Sequence, residues 1–168
     1  MGSPTAHPVG LREEFAYQSP IGPIAVRLAG GVLVEIRFSS EALGANELPA
    51  GHPACRWLDA YFAGEESART VDVEMSLVAT PFQRAVLEAT ASIPWGEVRT
   101  YGWVAERIGQ PGAARAVGRA LGANPLPLVI PCHRVVAAGS GGGYGGGMHR
   151  KEYLLALERG EHTAAATG

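Results

Sequence analysis

Apolar and polar residues alternate through "EEFAYQSPIGPIAVRLAGGVLVEIRFS", residues 13–39, and Gly30-Gly31 interrupts the alternation between Ile24–Ala29 and Val32–Phe38. A period of two broken by a glycine pair predicts a β-hairpin. The same alternation over Val71–Leu77 predicts a further strand. Between them Ala54, Trp57, Leu58, Tyr61 and Phe62 recur at helical spacing, and Gly64 ends the run. The first part of the chain therefore reads as a small α/β unit.

From residue 80 the period changes to that of helices. "TPFQRAVLEATASI" has Thr80 as N-cap, Pro81 at the first helical position, Gln83 completing a capping box, and Phe82, Val86, Leu87 and Ile93 as its buried stripe. After "PWGEV", the segment "TYGWVAERIG" predicts a short helix, "QPG" breaks it, and "AARAVGRALG" predicts a second ending at Gly122. Two short helices across a glycine-containing turn form a helix-turn-helix. The second is rich in small residues (Ala113, Ala114, Ala116, Gly118, Ala120), so it can approach either a groove or another helix closely. Arg115 and Arg119, four apart, share a face directed away from Val117 and Leu121. "ANPLPLVIPCHRVV" then carries three prolines that forbid a helix and predict an extended path into a buried strand. A glycine-rich loop containing Tyr144 follows, and "MHRKEYLLALERG" predicts a closing amphipathic helix with Glu158 at its end. The expected fold class is α+β: an α/β domain with an antiparallel sheet over residues 1–79, the first ten disordered, and a mainly helical domain over 80–168.

Composition narrows the function. With 46% hydrophobic and 18% charged residues the chain suits a folded protein. No apolar run approaches the roughly 20 residues of a membrane span, and the first residues lack a basic segment leading into an apolar one, so a cytoplasmic location is expected. Cys55 and Cys132 are the only cysteines, and neither lies in a Cys/His cluster of zinc spacing, so neither a disulfide framework nor a metal is expected. Net charge is −2, but residues 1–80 hold five Arg against ten Asp and Glu (−5), and residues 81–168 hold nine Lys and Arg against six acids (+3). The second half is the candidate for a polyanion. All but one of its basic residues are arginine, whose planar fork suits phosphates and base edges, although a genome-wide preference for Arg codons explains the bias as well.

Chemistry concentrates at "LVIPCHRVV". A thiolate, not a thiol, attacks electrophiles, so Cys132 needs a base or a positive neighbour. His133 is adjacent, but on an extended backbone the two side chains point to opposite faces, which makes a bridging water the easier route. A histidine base needs an acceptor on its other nitrogen, and Glu158 is the carboxylate placed to reach back. Cys55 and His52 read as core or surface residues.

"PCHRVV", preceded by "RAVGRALGANPLPLVI" and followed by the glycine-rich loop and "RKEYLLALE", resembles the O6-alkylguanine-DNA alkyltransferases, also called methylated-DNA–protein-cysteine methyltransferases. The resemblance runs from about Thr80 to Glu158 and extends more weakly through "PIGPIAV" and "YFAGE". It implies direct-reversal DNA repair, in which an O6-alkylguanine is flipped out of the duplex and its alkyl group passes irreversibly to Cys132, with O4-alkylthymine a poorer substrate. It further implies that His133, through water, holds the thiol proton and that Glu158 orients and charges the histidine. Tyr101 assists rotation of the nucleotide and binds the flipped base, Asn124 is the hinge between recognition helix and active-site segment, and Arg115 fills the vacated stack. Val135 and the backbone of Cys132 read the purine edge, Tyr144 lines the pocket, and Ala114, Ala116, Gly118, Arg119, Gly145, Gly146 and Lys151 complete the substrate- and DNA-binding set. Gly145 stands where some relatives have a serine, and the zinc-binding Cys/His set of certain relatives is missing. No cofactor is implied. The partner is duplex DNA carrying the lesion, with no membrane; the protein acts as a monomer, with cooperative assembly on DNA open to it. Three other readings of the residues remain: a lesion sensor without chemistry, a Cys-His-Glu hydrolase built on Cys132, His133 and Glu158, and a plain transcriptional helix-turn-helix protein, which leaves the apolar strand, the proline and the cysteine unexplained.

Overall fold

In a computed structural model the chain divides into two compact units, residues 1–77 and 78–168; the structure describes residues 12–66, 71–139 and 147–161. In the first unit β1 (Arg12–Ser19), β2 (Gly22–Ala29) and β3 (Val32–Phe38) form an antiparallel sheet in that order. Gly30 and Gly31, with φ of 57° and 83°, make the expected hairpin turn between β2 and β3, a conformation open to glycine at little cost. Strand β1 was not foreseen as a separate element. Its turn onto β2 is closed by the Ser19 hydroxyl, which donates to Gly22 O at 2.7 Å. Helix α1 (Pro53–Phe62) starts at His52, whose Nδ1 accepts from Ala54 N. The helix is tied to the sheet by Tyr17, which donates to Asp59 Oδ1 at 2.7 Å and stacks on Phe62.

The strand expected over Val71–Leu77 does not form. A single bridge joins Val73 to Leu33, and Val71, Val73 and Met75 are only half-buried. Alternation without a face to bury gives a ladder little to gain.

The second unit contains α2 (Pro81–Ala91), β4 (Arg99–Thr100), α3 (Tyr101–Arg107), α4 (Ala114–Gly122), a 3₁₀ turn at Cys132–Arg134, β5 (Val135–Val136) and α5 (Met148–Glu158). Thr80 caps α2 by accepting from Gln83 N at 3.0 Å. Val86, Leu87 and Ile93 are buried as the periodicity predicts, whereas Phe82 is only half so. Gln83 departs from the expected box. Its Oε1 accepts from Ala79 N at 2.9 Å, and its Nε2 donates to Ala123 O at 3.0 Å, so a buried amide ties the start of α2 to the end of α4. The chain thus has the α+β organisation, with α3 and α4 joined through residues 108–113.

Candidate active site

The site is built where β4 and β5 pair in parallel, Arg99 opposite Val135 and Thr100 opposite Val136. This short pairing sets the start of α3, and so Tyr101, beside the cysteine segment. Asn124 controls the approach from α4. Its Oδ1 accepts from Leu126 N at 2.9 Å and its Nδ2 donates to Ile130 O at 2.9 Å, while the same Ile130 carbonyl accepts from Cys132 N at 2.7 Å. One oxygen therefore links the end of α4 to the thiol-bearing residue. Asn124→Ala removes both side-chain bonds and leaves part-buried backbone groups to find water, at a cost of about 1–3 kcal/mol. A thermal melt should show that loss, together with slower alkylation of Cys132.

The path from Asn124 to Cys132 is not uniformly extended. Leu128, 2% exposed, has φ of 76°, a left-handed backbone that costs a leucine roughly 1–2 kcal/mol. Pro131, with φ −79° and ψ 67°, is the centre of an inverse γ-turn closed by the Cys132 N–H. The chain then enters a 3₁₀ turn, corrects the expected extended geometry at Cys132–Arg134, and turns successive side chains by about 120° instead of 180°. Cys132 remains partly exposed, whereas His133 and Arg134 go inside.

Behind the thiol lies a buried charged group. His133 Nε2 donates to Glu158 Oε2 at 2.6 Å, with both side chains fully enclosed. Arg134 donates to both oxygens of the same carboxylate, Nε to Oε1 at 2.7 Å and Nη2 to Oε2 at 3.0 Å; its Nη1 binds Ile93 O at 2.6 Å, and Trp95 lies against its guanidinium. Burial pushes the Glu158 carboxyl upward, but bonds from His133 and Arg134 outweigh this and bring it to about 2. Burial holds His133 below its ordinary value against the pull of Glu158, and the charges of Arg134 and Lys151 add to the lowering. Glu158 is thus held toward its ionised form, and His133 is held toward its neutral form first by its burial and then by the charges of Arg134 and Lys151, against the pull of Glu158. A carboxylate only accepts, so Nε2 carries the proton and the opposite ring nitrogen, Nδ1, is left basic.

Tyr101 is half-buried at the first position of α3. Its ring lies beside Gly118, where a Cβ would stand 3.8 Å from Cε1. Burial raises its phenol and the charge of Cys132 raises it further, so it stays protonated and donates. Arg115 and Arg119 are exposed on α4, opposite buried Val117 and Leu121, and Ala114, Ala116 and Gly118 are half-exposed. Val135 is fully buried, its N–H bonded to Cys132 O. Lys151, expected in the substrate- and DNA-binding set, is 1% exposed, and its Nζ donates to Val135 O at 2.9 Å. Helix α5 packs against the active-site turn and carries Lys151 on the face that also bears Leu154 and Glu158, which draws the ammonium inward. Tyr144, Gly145 and Gly146 lie outside the described residues. From the sequence Arg134 reads as a structural ion-pair partner as readily as a DNA contact, and the structure pairs it with Glu158; sequence reasoning missed Gln83 as a tie to α4.

Among the described residues no group of His, Cys, Asp and Glu could hold a metal ion, and no helix is long and apolar enough to cross a membrane.

A partly exposed cysteine in front of a buried His-Glu pair, next to two short helices with an exposed arginine face, defines a cysteine-centred site beside a helix pair. Residues 81–160 match the family model described as 6-O-methylguanine DNA methyltransferase, DNA binding domain. A methylated-DNA–protein-cysteine methyltransferase of Mycolicibacterium paratuberculosis is 46% identical over 89% of this chain and 93% of its own length. The crystal structure of Mycobacterium tuberculosis OGT in complex with DNA is 41% identical, covers 92% of this chain and 97% of that one, and has a TM-score of 0.80. An O6-methylguanine DNA methyltransferase structure from Methanococcus jannaschii is 31% identical, with 84% and 91% coverage and a TM-score of 0.60. The chain belongs to the methylated-DNA–protein-cysteine methyltransferase family.

Proposed function

We propose that this protein repairs alkylated DNA by transferring the alkyl group of a flipped-out O6-alkylguanine to Cys132, once per molecule. The observation that carries this reading is the partly exposed Cys132 in front of a fully enclosed His133 whose Nε2 is bound to Glu158 at 2.6 Å. His133 Nδ1 takes the thiol proton through a water, and the sulfur attacks the alkyl carbon in line. The S–C bond forms as the C–O6 bond breaks, its electron pair stays on the purine, and the purine recovers the proton. Tyr101 shares its hydroxyl proton with the leaving base, as a phenol raised above its ordinary value does more readily than it ionises. The product is a thioether that neither histidine nor water cleaves, which makes the protein a reagent consumed in the reaction.

On the same reading Arg115 fills the gap left in the stack, and Ala114, Ala116, Gly118 and Arg119 face the groove. The Val135 carbonyl has a second lone pair for the purine edge besides the one taken by Lys151. O4-alkylthymine is the secondary substrate. A hydrolase is disfavoured because the amide of the nucleophile is already bonded to Ile130 O and is not offered to an oxyanion. A sensor without chemistry has no use for an intact thiol backed by a neutral base.

Incubation with a duplex oligonucleotide carrying O6-methylguanine should add one methyl group to Cys132 by mass spectrometry and leave guanine in the strand. Cys132→Ala should bind the lesion and repair none of it. Several repaired strands per protein molecule, or a methyl group found elsewhere than on Cys132, defeats the reading.

A further inference from the structure

Glutamine is mostly exposed in folded proteins, and a buried amide persists where its polar atoms have partners. Gln83 is 6% exposed; its Oε1 accepts from Ala79 N at 2.9 Å, and its Nε2 donates to Ala123 O at 3.0 Å and reaches Ala120 O at 3.5 Å. Capping of α2 accounts for the acceptor alone, since a residue at the third helical position serves the helix start by receiving a backbone N–H. The donor end serves α4. Ala123 closes that helix, where the last carbonyls have no partner within the helix itself. Its carbonyl belongs to the same planar peptide as the Asn124 N–H, which donates to Leu121 O at 3.0 Å. This peptide is thus held on its oxygen by α2 and on its nitrogen by α4, and the Asn124 side chain carries the connection on to Ile130 O, the acceptor of Cys132 N. The far end of α2 meets the thiol turn as well: Ile93 O, two residues beyond the helix, accepts from Arg134 Nη1 at 2.6 Å. Helix α2, 11 residues and so about 16 Å long, therefore holds the end of α4 near its start and the turn bearing Cys132 near its close.

We propose that Gln83 is a positioning residue for reaction on duplex DNA: through the Ala123–Asn124 peptide it fixes α4, with Arg115 near its start, at the spacing from Cys132 that a flipped nucleotide must span. This role rests on the reading of Cys132 as the acceptor of an alkyl group from an extruded base, and deepens it. A free base needs no such spacing, because it reaches the thiol without the duplex that α4 grips. With Gln83 changed, the thiol turn keeps the β4–β5 pairing and the Arg134 bond to Ile93 O, so delivery of the base and chemistry at the sulfur come apart.

The test compares two rates of Cys132 alkylation in the full-length protein, both read by peptide mass spectrometry: methyl transfer from an O6-methylguanine duplex and benzyl transfer from the free base O6-benzylguanine. Gln83→Glu keeps the acceptor for Ala79 N and removes the donor to Ala123 O; Gln83→Met, of similar length, removes both; Thr80→Ala removes the cap of α2 and leaves the tie to α4. Both Gln83 variants should slow the duplex reaction about tenfold, since small displacements of aligned groups cost large factors in rate, and keep the free-base rate within about threefold. Thr80→Ala, which weakens the same helix, should change the ratio of the two rates by less than about twofold. A folded Gln83→Glu protein with the parent's ratio overturns the proposal, as does an equal loss on both substrates or a Thr80→Ala protein whose ratio falls as far. Where the Glu variant does not fold, the Met variant decides by the same ratio; failure of both to fold assigns Gln83 to folding and overturns the proposal. A parent protein that transfers nothing from the duplex removes the repair reading and the proposal together, whereas transfer with an unchanged ratio in the variants removes the proposal alone.

Discussion

Glu158→Ala is expected to destabilise the protein by about 3–5 kcal/mol and to abolish useful transfer to Cys132, because it strips the shared acceptor from two buried donors. Arg134 loses both of its charged contacts, at 2.7 and 3.0 Å, and remains held inside by Ile93 O and Trp95. His133 loses the 2.6 Å bond that fixes its tautomer. Such a loss is a large share of a stability that is typically about 5–15 kcal/mol. Glu158→Gln keeps one acceptor oxygen and should fall between the two, so urea unfolding of the three proteins orders the effect. An Ala variant within about 1 kcal/mol of the parent would contradict the account of the buried group.

The same cluster sets the acid response. Glu158 titrates at about 2 when folded, below its ordinary 4.5, so its contribution is complete above the unfolded value and disappears as pH falls toward 2. His133 is lowered from 6.5 by burial. Below that pH the unfolded chain takes up a proton that the folded chain refuses, and stability declines from there downward. Both groups therefore act in one direction, and unfolding free energy measured from pH 8 to 3 should decrease steadily below about 6.5.

Arg115→Ala should slow repair in duplex DNA about a hundredfold while leaving reaction with the free base O6-benzylguanine nearly unchanged. Extruding a nucleotide costs a few kcal/mol in lost stacking and pairing, and a side chain entering the gap returns part of it; about 2.7 kcal/mol corresponds to the hundredfold. Arg115 is exposed at the start of α4, remote from the buried cluster, so the substitution should leave the thermal melt unaltered. Rates with the two substrates separate flipping from chemistry, and equal losses on both would remove the role of Arg115 in filling the vacated stack.

Local signals were legible wherever a few neighbouring residues carry them. The Gly30-Gly31 turn, the Thr80 cap with Pro81, and the stop after "AARAVGRALG" each rest on backbone preferences that need no distant partner. Strand β1 was hidden because its turn at Pro20 and Ile21 lacks a glycine pair, and Val71–Leu77 misled because alternation says nothing about whether a face exists to bury. The cysteine turn was misread for a related reason. Three prolines argue against an α-helix but not against a γ-turn followed by one turn of 3₁₀ helix, and that geometry decides which side of the chain each of Cys132, His133 and Arg134 occupies.

Residue chemistry along the chain was enough to name the thiol, its imidazole and the carboxylate that orients it. It was not enough to assign their charges. His133 is lowered first by its complete burial and then by the charges of Arg134 and Lys151, and that burial, like the meeting of Arg134 with Glu158 across 24 positions, follows from how α5 packs against the active-site turn. Periodicity and capping act through bonds within a turn or two of helix, whereas burial and Coulomb energies depend on distances that exist only once remote segments have met.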